Sequence, residues 1–169
     1  KDITKEKEIE QALQASEEKY RLIAENASDV IWVLNAEKAR FTYISPSVYQ
    51  MRGYTAEEAM AQDIYQSLTP DSARLVIEDM TWRVNEFRQN PVEYHKRVFR
   101  HELRQPCKNG NIIWIETTTR YQFNNEREVE VVGISRNIDK RKRQELEITK
   151  RLRYEIGRAS CRERVYTKV

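Results

Sequence analysis

Lys108-Asn109-Gly110-Asn111-Ile112-Ile113-Trp114-Ile115-Glu116-Thr117-Thr118-Thr119 is the stretch on which the fold turns. A run of Ile, Trp and Thr directly after Asn-Gly reads as a strand leaving a tight turn. β-Branched and aromatic side chains suit a pleated surface, and Asn-Gly meets the positive φ of both central residues of a type I′ turn most cheaply. On its near side Tyr94 to Arg104 sets Val98 and Leu103 among charged residues and reads as the partner strand. On its far side Asn124-Asn125-Glu126 makes a second turn, and Val129 to Ile138 a third strand.

Upstream of this meander the texture is helical. Thr69-Pro70-Asp71 opens a long helix through Leu75, Val76, Met80, Val84 and Phe87 that Asn90-Pro91 ends. Before it, Pro46 to Arg52 reads as a short helix closed by Gly53, and Thr55-Ala56-Glu57-Glu58 as an N-cap followed by helix formers. Farther back, Val30-Ile31-Trp32-Val33-Leu34, the polar Asn35-Ala36-Glu37-Lys38 and Phe41-Thr42-Tyr43-Ile44 form a hairpin of two strands that Pro46 stops. Strand pair, helical insert and meander together predict an α+β domain: one five-stranded antiparallel sheet with helices on one face.

The flanks differ from the body. Ile9 to Ala27 holds neither Gly nor Pro, and Ile9, Ser16 and Ile23 recur every seventh residue with Leu13, Tyr20 and Ala27 interleaved. That is the a/d seam of a helix whose other positions are filled largely by Lys, Glu and Gln. Either the domain's own sheet or a second copy covers such a stripe. Lys5 to Ala15 extends beyond what one short capping helix needs, which favours a homodimer. A C-terminal linker helix is expected to start near Lys140.

Charge excludes some classes of function. The 30 Lys+Arg stand against 27 Asp+Glu, a net charge of +3. Arg158, Arg162, Arg164 and Lys168 against Glu163 alone supply that whole excess, so the body is neutral and no basic stripe points to nucleic acid. Lys140-Arg141-Lys142-Arg143 reads as a solvated linker face. No long apolar run predicts membrane contact, and Cys107 and Cys161 show no metal spacing, which suits a reducing, cytoplasmic setting.

The motifs, taken in order, carry a resemblance. Ser16-Glu17-Glu18-Lys19-Tyr20-Arg21, Phe41-Thr42-Tyr43-Ile44-Ser45-Pro46-Ser47, Gly53-Tyr54-Thr55-Ala56-Glu57-Glu58 and Lys108-Asn109-Gly110-Asn111-Ile112-Ile113-Trp114-Ile115-Glu116 resemble the PAS (Per-Arnt-Sim) sensory domains of bacterial multidomain signalling proteins, of the sensor kinase or cyclic-dinucleotide enzyme type. The resemblance covers about residues 16–140. It implies a PAS fold over 16–139, a linker helix over 1–15 following a preceding PAS module, and an output linker helix over 140–156. The family's closing Asp-Ile-Thr is replaced by Asn137-Ile138-Asp139, the expected signal junction, while Asp2-Ile3-Thr4 at the front is similar to the tail of an earlier module. Other modules of one parent chain are therefore expected partners, and relay along such an array implies a parallel dimer. Glu155 to Val165 resembles the translation of a sequencing adapter, so 157–169 is expected to be a non-native tail.

Chemistry is sparse. No phosphate loop, nucleophile elbow or calcium loop is present, and no enzymatic activity is expected. His95 and His101 fall on one predicted strand, roughly 20 Å apart, too far to share a metal, and read as solvated positions. Haem-binding PAS members use a His on the long helix, flavin and photoactive-yellow types a Cys near Gln62 to Leu68; neither residue is there, so no haem, flavin or chromophore is expected. A small ligand between sheet and long helix remains, with Tyr43, Tyr65, Trp82, Arg97, Phe99 and Trp114 as pocket candidates, Arg97 for an anion. The expected function is a sensory relay module passing a change at this pocket into the flanking helices. The alternative is a ligand-free PAS spacer for dimerisation and relay, and a dry, filled interior is its mark.

Overall fold

The computed structural model describes residues 2–26 and 28–166, with side chains described for residues 2–19 and 28–161. Its elements run α1 (Ile3–Asn26), β1 (Val30–Asn35), β2 (Arg40–Ile44), α2 (Val48–Arg52), α3 (Ala56–Met60), α4 (Ile64–Ser67), α5 (Pro70–Gln89), α6 (Pro91–Tyr94), β3 (Phe99–Pro106), β4 (Ile112–Phe123), β5 (Val129–Asn137) and α7 (Asp139–Tyr166). One structural unit ends at Asn137, and α7 belongs to a second that begins at Ile138.

The five strands form one antiparallel sheet in the order β2-β1-β5-β4-β3. The hairpin and the meander thus meet through β1 and β5, with Val30 opposite Ser135 and Trp32 opposite Gly133. The short helices are held by their first residues. Thr55 and Asp63 each form a capping box, with Glu58 and Gln66, so donors otherwise left over in the first turn are satisfied. Gly53 ends α2 at φ +79°, a left-handed conformation that glycine adopts without steric cost.

Side-chain alternation sorts the sheet. Leu103, Ile113, Ile115, Tyr121, Val129 and Val131 point to the inner face, where Phe87 of α5 is 1% exposed and packs on the rings of Tyr94, Tyr121 and Phe123. Full burial of each such side chain removes apolar surface from water and contributes roughly 1.5–3 kcal/mol.

Two local expectations are corrected. Residues 94–98 are not strand: Asn90 caps a further helical turn, accepting from the Glu93 amide, and Pro91 sits at its first position. The Tyr94 ring is buried there against Phe87 and Tyr121, and β3 starts only at Phe99. His95 is therefore an exposed helix C-cap, not the strand neighbour of His101. Nor is Asn109-Gly110 a type I′ turn. Only Gly110 has positive φ, +87°. The Gly110 amide donates to Cys107 O and the Cys107 amide to Asn111 O, a three-residue loop closed by a left-handed residue. The second turn repeats it with Arg127, φ +60°, whose amide donates to Asn124 O while Asn124 donates to Glu128 O.

The described side chains of residues 2–19 are all exposed, Ile9, Leu13 and Ser16 among them; those of Tyr20 and Ile23 lie outside the described residues. Helix α7 runs without interruption through Gly157 to Tyr166, so the expected boundary at 157 is not marked by a break in the helix.

Candidate functional site

A cavity of about 90 Å³ lies between α5 and the inner face of the sheet. Its walls are mainly apolar: Trp32 and Leu34 of β1, Val76 and Met80 of α5, Leu103 of β3, Ile115 of β4 and Val131 of β5. Trp32 is fixed by three neighbours. Its Nε1 donates to Ser135 Oγ at 2.8 Å, Phe41 meets it edge-on at 5.9 Å, and Gly133 lies beneath it. A Cβ at Gly133 would come within 2.2 Å of the indole, so this strand position has room for nothing larger.

Polar groups enter the lining at two places. Asp79 of α5 takes the Arg83 Nε–H on the same Oδ2 that lies 3.3 Å from His101 Nε2 of β3. The Arg83 guanidinium lies over the Phe99 ring, 3.7 Å from its centroid. Side chains in this cluster are about one-fifth exposed, so screening by salt is weak. Nearby, burial first and the Asp79 charge second push the Tyr121 phenol far above its ordinary pKa, so it stays a neutral hydroxyl. The second place is Arg52, the last residue of α2, 4% exposed, with Gln105 and Ser67 also in the lining.

None of the six predicted pocket residues lines the cavity. Tyr43 lies on the outer face opposite Val33, and Tyr65 and Trp82 are exposed on α4 and α5. Trp114 is also on the outer face, opposite Arg104, whose guanidinium stacks on it at 5.8 Å. Arg97 is exposed above the Tyr94 ring at 5.2 Å. Phe99 comes nearest, packing against Tyr121 and Arg83 behind the wall. The reason is general: large aromatics mark both faces of a sheet, and only pairing decides which face is covered. His101 moves the other way, from a presumed solvated position into the lining. Arg52, Asp79 and Trp32 also went unrecognised; Gly133 within a strand was the one available signal of a close approach. Of the expected junction, Asn137 ends β5 opposite Ile115, and Ile138 separates it from Asp139, the first residue of α7. Among the described residues, no group of three or more His, Cys, Asp or Glu is arranged to hold a metal, and no helix is long and apolar enough to cross a membrane.

Comparison with known proteins agrees with this fold. The sensory box histidine kinase/response regulator structure from Burkholderia thailandensis E264 is 24% identical, with a TM-score of 0.57 over 82% of this chain and 98% of that one. The PAS domain of the HTR-like protein from Haloarcula marismortui is 20% identical, with a TM-score of 0.61 over 78% and 99%. The N-terminal domain of a diguanylate cyclase with PAS/PAC sensor from Marinobacter aquaeolei is 14% identical, with a TM-score of 0.51 over 68% and 98%. No curated protein matches the chain. The family model described as "PAS fold" matches residues 41–135, from the second strand to the last, and the chain belongs to the PAS family.

Proposed function

We propose that this chain is a sensory relay module: a small molecule enters the cavity between α5 and the sheet, and the resulting change in packing passes into the flanking helices. The observation that carries the reading is the cavity itself, apolar along its length and polar at Arg52 and at Asp79–His101. A core built only to be stable has no use for such groups, since a buried charge stabilises less than a packed apolar side chain of the same size. Two of the relatives named above are a sensory box histidine kinase/response regulator and the N-terminal domain of a diguanylate cyclase with PAS/PAC sensor, which supports a signalling role. The exposed stripe of Ile9 and Leu13 on α1 supports a homodimer, parallel if modules relay side by side along an array, with the other modules of a parent chain as further partners. A cytoplasmic setting fits the same reading.

The competing spacer reading draws on the cavity's small volume. Mass spectrometry of small molecules released from the purified chain separates the two. The expected result is one compound at near-stoichiometric occupancy that disappears in Leu103→Trp, which fills the cavity. A chain that purifies empty, and whose melting temperature answers to no small molecule, is a spacer.

A further inference from the structure

The two polar places in the cavity are not equivalent. At Asp79 the charge is matched, because the carboxylate is paired with Arg83 and also faces the His101 imidazole. At Arg52 they are not. Its Nε donates to Pro106 O at 3.0 Å and a terminal nitrogen to Gln62 Oε1 at 3.1 Å, and the guanidinium stands over the Tyr54 ring at 4.9 Å. All three partners are neutral, and no carboxylate among the described residues pairs with it. Burial pushes the Arg52 guanidinium below its ordinary pKa, with Tyr54 and Cys107 opposing the shift. A guanidinium carries five N–H donors and stays charged in proteins, so donors are left over for a bound anion.

The surroundings select the anion. Arg52 borders the same cavity as Val76, Met80, Leu103 and Ile115, so a ligand there meets a cation and, beside it, hydrocarbon walls. Planar carboxylate matches the guanidinium fork with two parallel hydrogen bonds. A compact phosphate would leave the apolar walls unfilled. A second carboxylate would find no free arginine at the other polar place, because Arg83 is already paired with Asp79. Size sets the length: a cavity of roughly 150 Å³ accepts benzene, with six heavy atoms, and this one, at about 90 Å³, takes a ligand of no more than that number.

Resting on the reading of this cavity as the ligand site, we propose that it takes a short-chain aliphatic monocarboxylate, its carboxylate on Arg52 and its alkyl chain against Met80, Leu103 and Ile115. Butyrate and butan-1-ol, which share the alkyl chain and differ in the charged head, test it on the full chain by thermal shift and calorimetry. Butyrate is expected to raise the melting temperature saturably, and butan-1-ol to do so far less. Arg52→Gln is expected to weaken butyrate at least about tenfold, the loss of a charge-assisted pair, with Arg52→Lys retaining part of the affinity. Equal stabilisation by butan-1-ol overturns the carboxylate assignment and leaves the cavity a ligand site. Silence from both compounds, in a chain that also purifies empty, overturns both. Should Arg52→Gln fail to fold, the comparison on the unaltered chain decides alone.

Discussion

The body and its flanking helices use apolar residues in opposite ways. Between α5 and the sheet, Phe87, Ile115, Val129 and Leu103 are almost wholly buried. On α1 and α7 the apolar side chains among the described residues stay in water: Ile9, Leu13, Leu152 and Ile156 are each more than half exposed. Helices of 24 and 28 residues are long enough to form locally, but isolated helices gain most of their stability from packing an apolar face. The body therefore carries its own stabilisation, and the helices depend on contacts beyond themselves.

Four substitutions test that division, the first at its centre. Phe87→Ala removes a ring enclosed by Tyr94, Tyr121 and Phe123, and is expected to cost about 3–5 kcal/mol in chemical denaturation; a loss below about 1 kcal/mol would mean the body is held elsewhere. Gly110→Val has open space for its side chain but φ of +87°, so its cost is backbone strain alone, about 1–2 kcal/mol. A neutral result would show that the loop shifts to another turn. Arg127→Gly is the converse: the same kind of loop carries a non-glycine residue at φ +60°, and glycine is expected to stabilise by about 0.5 kcal/mol after its greater freedom in the unfolded chain is counted. Leu13→Glu should change the body's stability by less than about 0.5 kcal/mol while weakening association seen by light scattering. An unaltered dimer would remove the seam from the proposal, and a large loss of body stability would break the division itself.

Much of the architecture was legible because it is written locally. β1, β2, β4 and β5 announce themselves as apolar or β-branched runs between turn residues, and α3 carries its cap, and α5 its first-position proline, at their starts. What was not legible depends on contacts distant in sequence. Val98 resembled strand, yet Asn90 and Pro91 first wind another helical turn, and burying Tyr94 fixes it there. Asn109-Gly110 is the strongest short signal for a two-residue turn, and the backbone uses only its glycine. The pocket was the least visible part. Arg52, Asp79 and His101 are ordinary surface residues by composition, and only the packing of α2 and α5 against β3 turns them inward. Of the aromatic candidates, Tyr43 and Trp114 lie on the outer face and Tyr65 and Trp82 on exposed helix positions, because size does not encode direction.

The pairing of Val30 with Ser135 has a further consequence. Asp29 sits just before the first strand and Arg136 near the end of the last, and they are joined by a two-pronged ion pair at 2.7–3.1 Å. The polypeptide thus comes into the body and departs from it at neighbouring points on the middle strands. A domain wired in this way behaves as a cassette: spliced between two segments of a longer protein, it leaves their ends almost as close as before. Duplication or loss of such a unit changes how many stations a signalling chain contains without rerouting what lies on either side.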